Sequence, residues 1–242
     1  MINMLITSKS NPIIKSVSAL ADKKYRKQNK QYIVEGIKPV RECIAAGCHV
    51  ERIICVEGLD GFDGATKVTE SVFKSISSEK TPQGVLAVVK MPQFELEPPE
   101  KPCLLLDSLQ DPGNLGTVIR TANAAGYDEI YLINCTDPYS PKAVRASMSG
   151  IFFVKIYQGT REEVLDALKH VPLICADMDG EDIFKFNPPE DFCLCIGNEG
   201  SGISNEVREH ASFTVKIPMS STCESLNAAV SAGIAMYALR KN

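Results

Sequence analysis

Six short apolar runs mark the second half of this chain: CLLLD (103–107), EIYLIN (129–134), FFVKIY (152–157), PLICAD (172–177), FCLCIG (192–197) and FTVKIP (213–218). Their apolar character is nearly continuous rather than alternating, as in strands buried on both faces. Segments of helical periodicity separate them, so the pattern is that of an α/β chain whose strands form a parallel sheet covered by helices. No run approaches the ~20 apolar residues of a membrane span. The opening MINMLITSKSNPIIK has no apolar stretch of the kind a secretion signal carries. The nine cysteines are scattered, and the nearest pairs, Cys43/Cys48 and Cys193/Cys195, match neither zinc nor redox spacing. These features predict a cytoplasmic protein with reduced thiols, no membrane contact and no metal.

The first half reads as a smaller α/β unit. Asn11-Pro12 opens a helix with an N-cap and a first-turn proline, and Ile13, Ile14, Val17 and Leu20 recur along it, with a basic cluster at its far end. Then follow strand QYIVEG, helix IKPVRECIAAG closed by Gly47, strand ERIICVE, helix SVFKSIS and strand GVLAVVK. Four prolines and three glutamates between Met91 and Pro102 read as an extended linker. The expected organisation is a small N-terminal domain over residues 1–92, a linker over 93–102 and a C-terminal parallel-sheet domain over 103–242. Charge divides along the chain as well. Residues 1–50 carry nine Lys/Arg and three acids, net +6, and since the whole chain is −4 the remainder is −10. Such asymmetry suits a polyanion-binding end, with Lys23, Lys24, Arg26 and Lys27 as the candidate contacts. The alternative is a solvated helix face.

Three loops follow strand candidates at positions where open α/β sheets gather ligands. The first, SLQDPGNLGTVIR, spans Ser108 to Arg120; taken alone it is equally a ligand-binding turn or a plain strand-to-helix turn with Asn114 as cap and Arg120 solvated. The second, GNEGSGIS (197–204), allows close backbone approach to a ligand, but its G-x-x-G-x-G order is not a dinucleotide-binding fingerprint. The third, IPMSSTCESLN (217–227), is polar and feeds Ser225 and Asn227 into the last helix, expected over 224–240.

Taken together and in this order, N-L-G-x-x-x-R, I-G-N-E-G-S-G-I and I-P-M-x-x-x-x-E-S-L-N-A-A-V resemble the three motifs of the SpoU (TrmH-like) RNA 2′-O-ribose methyltransferases. The resemblance covers roughly residues 103–242. Residues 1–92 resemble the ribosomal-protein-like substrate-binding domain many members carry, most clearly at Tyr32–Gly36 and Thr81–Gly84. It implies a C-terminal domain threaded into a trefoil knot, S-adenosyl-L-methionine as cofactor, a homodimer with loops of both subunits completing the site, and structured RNA as substrate, ribosomal RNA before tRNA. Carried over by position, Gly197, Gly200, Ile217, Met219 and Leu226 would contact the cofactor. Asn114, Arg120, Glu199, Ser225 and Asn227 would serve catalysis, with Arg120 either a base or a phosphate clamp and Glu199 setting the second loop or holding Arg120. The three histidines, His49, His170 and His210, all lie outside the motifs. Two other classes compete: a nucleotide-dependent oxidoreductase or conventional open-sheet methyltransferase, whose glycine fingerprint would follow the first strand, and a non-catalytic RNA-binding or ribosome-assembly protein.

Overall fold

The computed structural model describes residues 5–223 and 225–240. Glu224, the expected first residue of the last helix, and Lys241, its expected basic end, lie outside the described residues.

The chain divides into two compact units. The first runs to Pro92 and takes in Asp137–Phe152; the second holds Gln93–Thr136 and the chain from Phe153 on. In the first unit are α1 (Pro12–Ala19), α2 (Lys23–Asn29), β1 (Gln31–Glu35), α3 (Ile37–Ala45), β2 (Val50–Val56), β3 (Thr66–Val68), α4 (Glu70–Lys74) and β4 (Val85–Lys90). The sheet order is β1-β4-β2-β3, antiparallel except for the β2–β3 edge. Asn11 caps α1, its side chain accepting from the Ile13 amide at 2.9 Å. The basic cluster is not the end of that helix: Asp22 accepts from the Lys24 amide at 2.8 Å and starts a separate α2. Ile14, Val17 and Leu20 of the first helical segment pack with Ile54, Phe73 and Leu86 as the core.

The second unit contains β5 (Cys103–Asp107), α5 (Pro112–Ala125), β6 (Glu129–Ile133), β7 (Lys155–Gly159), α7 (Arg161–Leu168), β8 (Leu173–Asp182), β9 (Cys193–Ile196), α8 (Asn205–Arg208), β10 (Phe213–Lys216) and α9 (Ala228–Leu239); α6 (Pro141–Ala146) belongs to the first. The sheet runs β10-β8-β9-β5-β6-β7, and every pair is parallel. The expected strand at FFVKIY starts only at Lys155, because Gly150–Phe152 forms a 3-10 turn. β8 runs longer than expected and pairs with β10 in two steps: Thr214 faces Cys175, then Val215 faces Glu181. Gly180 sits at this register break, where a Cβ would strike the Val215 backbone.

Two boundaries depart from the sequence reading. Residues 137–152, placed by sequence in the C-terminal domain, cluster with the first unit. The reason is a buried ion pair, Arg26 to Asp137 at 2.7 Å, beside a Tyr32–Tyr139 ring contact at 5.0 Å. Residues 93–102 have no helix or strand, yet they lie on the second sheet: Tyr131 Oη donates to the Glu97 carbonyl at 2.6 Å, and Phe94 packs on Tyr157. Among the described residues no helix is long and apolar enough to cross a membrane.

Candidate active site

The sheet order makes β5 and β9 neighbours, with Leu106 beside Ile196. The loops leaving their carboxyl ends are therefore adjacent, at the point where the strand order reverses and such sheets bind ligands. Asp107, fully buried, ends β5 and joins the two loops. Its Oδ2 accepts from the Ser204 amide at 2.8 Å and the Ser204 hydroxyl at 2.6 Å, and its Oδ1 accepts from Ser108 Oγ at 2.9 Å. The Arg161 guanidinium lies 3.9 Å away, so this buried charge is compensated. Ser108 adopts a left-handed φ of 63° and aims its carbonyl at Asn198 Nδ2, 3.0 Å distant. Asn198 Oδ1 then accepts from the Gly200 and Ser201 amides at 2.9 and 3.1 Å, which curls the second loop back on itself. Gly197 is needed at the base of that curl, where a Cβ would fall on the Gly202–Ile203 backbone.

The third loop enters through Asn227. Its Oδ1 caps α9, accepting from Ala229 and Val230 amides at 3.0 and 3.3 Å, and its Nδ2 donates to Asn114 Oδ1 at 3.0 Å. Asn114 Nδ2 in turn donates to the Glu199 carboxylate. One residue from each loop thus forms a hydrogen-bonded chain, Asn227 to Asn114 to Glu199. Three expectations change. Asp111, not Asn114, caps α5, accepting from the Asn114 amide at 2.9 Å; this frees the Asn114 side chain for the site. Asn227 caps the last helix, which begins at Ala228 rather than at the expected residue 224. Glu199 engages Asn114 and not Arg120. Ser225 is exposed and its carbonyl accepts from Cys223 Sγ. Arg120 is exposed and forms no ion pair with a described residue. Six residues beyond Asn114, it lies about 9 Å further along α5 and faces another direction, and among the described residues it makes no hydrogen bond to the Asn227–Asn114–Glu199 chain.

Of the residues assigned to the cofactor, Ile217, Met219 and Leu226 are half-buried and Gly200 is exposed. The backbone groups of Ile217, Met219 and Leu226 take no hydrogen bond from described residues. Half-buried apolar side chains with free backbone donors and acceptors suit a ligand that is partly heterocycle and partly zwitterion. Of the basic cluster, Lys23, Lys24 and Lys27 are exposed, whereas Arg26 is 3% exposed. Arg26 donates twice to Asp137 Oδ2 (2.9 and 2.7 Å) and to the Leu20 and Ala21 carbonyls (2.8 and 2.7 Å). With four of its five guanidinium N–H groups engaged inside the fold, it is a structural residue and no RNA contact. Sequence reasoning missed Asp107 and Asn198. The first had a readable signal, since a carboxylate closing an otherwise apolar strand must find buried partners; the second differs in nothing from an ordinary loop asparagine.

Residues 101–237 match the model of the SpoU rRNA Methylase family. The chain belongs to that family. Residues 11–87 match the MRM3-like substrate binding domain. The 23S rRNA (guanosine(2553)-2′-O)-methyltransferase RlmP of Bacillus subtilis is 31% identical over 97% of this chain and 98% of its own. The 23S rRNA (uridine(2479)-2′-O)-methyltransferase of Streptomyces viridochromogenes is 28% identical over 96% and 90%. Among solved structures, the AdoMet-bound rRNA methyltransferase from Sinorhizobium meliloti superposes with a TM-score of 0.88 at 29% identity, covering 97% of this chain and 96% of that one. The SpoU methyltransferase AviRb from Streptomyces viridochromogenes, in complex with AdoMet, gives 0.85 at 26% identity over 94% and 96%.

Proposed function

We propose that this family member is a cytoplasmic enzyme that methylates a ribose 2′-hydroxyl of ribosomal RNA with S-adenosylmethionine as donor. The observation that carries the reading is the Asn227–Asn114–Glu199 chain, which ties all three family loops into one polar cluster. When bound, S-adenosylmethionine supplies an electrophilic methyl group on a sulfonium. The remaining work falls to the protein. Free backbone groups at Ile217, Met219 and Leu226 hold the donor, and Asn114, with its carbonyl and amide both fixed, orients the ribose. A guanidinium keeps its proton in proteins, so Arg120 grips an RNA phosphate and stabilises the developing oxyanion, while the hydroxyl proton passes to solvent water.

Arg120 stands apart from the cluster of its own chain, which supports completion of the site by a second copy in a homodimer. Helix α9 supports this too: Val230 and Tyr237 on it are 50% and 53% exposed. The trefoil knot belongs to the same proposal, supported by the likeness over nearly the whole chain to solved methyltransferases of this family. On the RNA side, Lys23, Lys24 and Lys27 are the phosphate contacts of the first unit. The test is incubation of the protein with unmodified 23S and 16S rRNA transcripts and labelled donor, followed by mapping of ribose methylation. A methyl group found on a base, or calorimetry showing NAD binding without S-adenosylmethionine binding, would overturn the reading.

A further inference from the structure

A cavity of about 450 Å³ opens in the first unit. Two sequence signatures that have no part in the catalytic loops meet at its wall: Glu35 and Gly36 from Tyr32–Gly36, and Thr81 and Gln83 from Thr81–Gly84. They are locked together, since Gln83 Oε1 accepts from the Ile37 amide at 2.8 Å. Gly36 has a φ of 109°, with Pro39 Cδ 3.2 Å from where its Cβ would lie. The opposite wall is α6 and the turn behind it, the segment brought into this unit by the Arg26–Asp137 pair.

The lining has two characters. Pro39, Ile76, Val144 and Phe152 supply apolar surface. Around them stand three carboxylates held in place by neighbours. Glu35 accepts from the Ser78 amide at 3.0 Å, Glu42 accepts from Ser149 Oγ at 2.5 Å, and Glu79 pairs with Arg145. Lys38 sits 3.7 Å from Glu42, so each of two acids has a cation beside it. The Lys38 and Arg145 side chains are 78% and 49% exposed against 40% and 35% for Glu42 and Glu79, so the cations reach further into solvent than the acids they pair with.

That arrangement selects its occupant. The volume falls within the ~300–1,000 Å³ of small-ligand sites, too small for a duplex or a protein helix and sufficient for one nucleoside. Fixed carboxylates repel a phosphate but accept N–H donors. Single-stranded RNA is read through splayed-out bases that enter such pockets, with apolar faces against the ring and polar groups on its edge. Guanine is the base whose Watson–Crick edge puts two N–H donors beside an oxygen acceptor, the complement of a carboxylate next to a cation. Resting on the rRNA reading above, we propose that this cavity receives an unpaired guanine of the RNA substrate.

The test uses the full-length protein. Saturation-transfer NMR with 5′-GMP, AMP, CMP and UMP reports binding of each nucleotide. Ser18→Trp and Ser75→Trp fill the cavity from two exposed lining positions, and Lys38→Glu reverses the charge at its mouth. The expected results are strongest transfer from GMP, loss of that signal in both tryptophan variants, and a KM for rRNA transcript raised about tenfold, in line with one base contact. In these variants kcat at saturating RNA and the affinity for S-adenosylmethionine stay within twofold. Equal signals from the four nucleotides, or an unchanged KM in tryptophan variants of wild-type melting temperature, would overturn the proposal. Binding of an apolar peptide in place of GMP would do the same and assign the cavity to a protein partner. Failure of the wild-type enzyme to methylate any rRNA transcript counts against the proposed function; unchanged KM in active variants counts against the pocket alone.

Discussion

Arg26→Ala separates structural from RNA-binding charge in the basic helix. The guanidinium makes four hydrogen bonds, two to Asp137 and two to main-chain carbonyls, and the two side chains are only 4% and 10% exposed. Removing the arginine leaves the Asp137 carboxylate buried without its partner, which costs about 3–5 kcal/mol. For a chain of this size each kcal/mol moves Tm by about 2–4 °C, so the first unfolding transition should fall by roughly 6–20 °C. Differential scanning calorimetry reads this directly. The double variant Arg26→Met/Asp137→Asn should recover much of the loss, because neither residue then leaves a buried charge. The contrasting triple variant, Lys23→Ala/Lys24→Ala/Lys27→Ala, should melt like wild type. Its rRNA binding should weaken, with the log–log salt slope flattened by about 0.7–0.9 for each phosphate contact removed. An Arg26→Ala protein that melts within a degree of wild type, yet loses rRNA affinity as the lysine variant does, would refute the structural assignment.

Gly197→Val should abolish S-adenosylmethionine binding by calorimetry, because its side chain would strike the Gly202–Ile203 backbone; Gly200→Ala should bind within a few-fold of wild type, since its Cβ meets only Asn198 Oδ1 at 3.6 Å. Arg120→Ala should reduce kcat about 100-fold or more with donor affinity unchanged, as expected for a group that acts on developing charge; substantial recovery in Arg120→Lys at high pH would favour a base over a clamp. Tyr237→Arg should shift sedimentation from dimer to monomer and reduce turnover, whereas an active wild-type monomer would remove the shared site. In the first unit, a hydrogen bond from the Cys43 thiol draws the Cys48 pKa down from 9.0 to about 7. Iodoacetamide labelling of Cys48, followed by mass spectrometry, should therefore rise through about pH 7 as the thiolate forms; a midpoint near 9 would count against that hydrogen bond.

Much of this protein was written locally. The apolar runs from CLLLD to FTVKIP gave parallel strands, Asn11-Pro12 started α1 as capping chemistry requires, and Val118, Ala122 and Ala125 are buried along α5. The loop motifs announced the family because they are contiguous strings of residues. What sequence alone could not settle depended on partners distant in the chain. Arg26 reads as one more cation in a basic run, until Asp137, 111 residues away, turns it into a buried structural group. Residues 137–152 follow a strand of one sheet and pack with the other unit for the same reason. Asn114 looked like a helix cap until Asp111 took that place and left its side chain to bridge Glu199 and Asn227. Backbone propensity and hydrophobic period act over a few residues, so a sequence displays them. The role of a polar side chain is set by whichever donor or acceptor the fold brings within about 3 Å of it, and only the tertiary structure decides that.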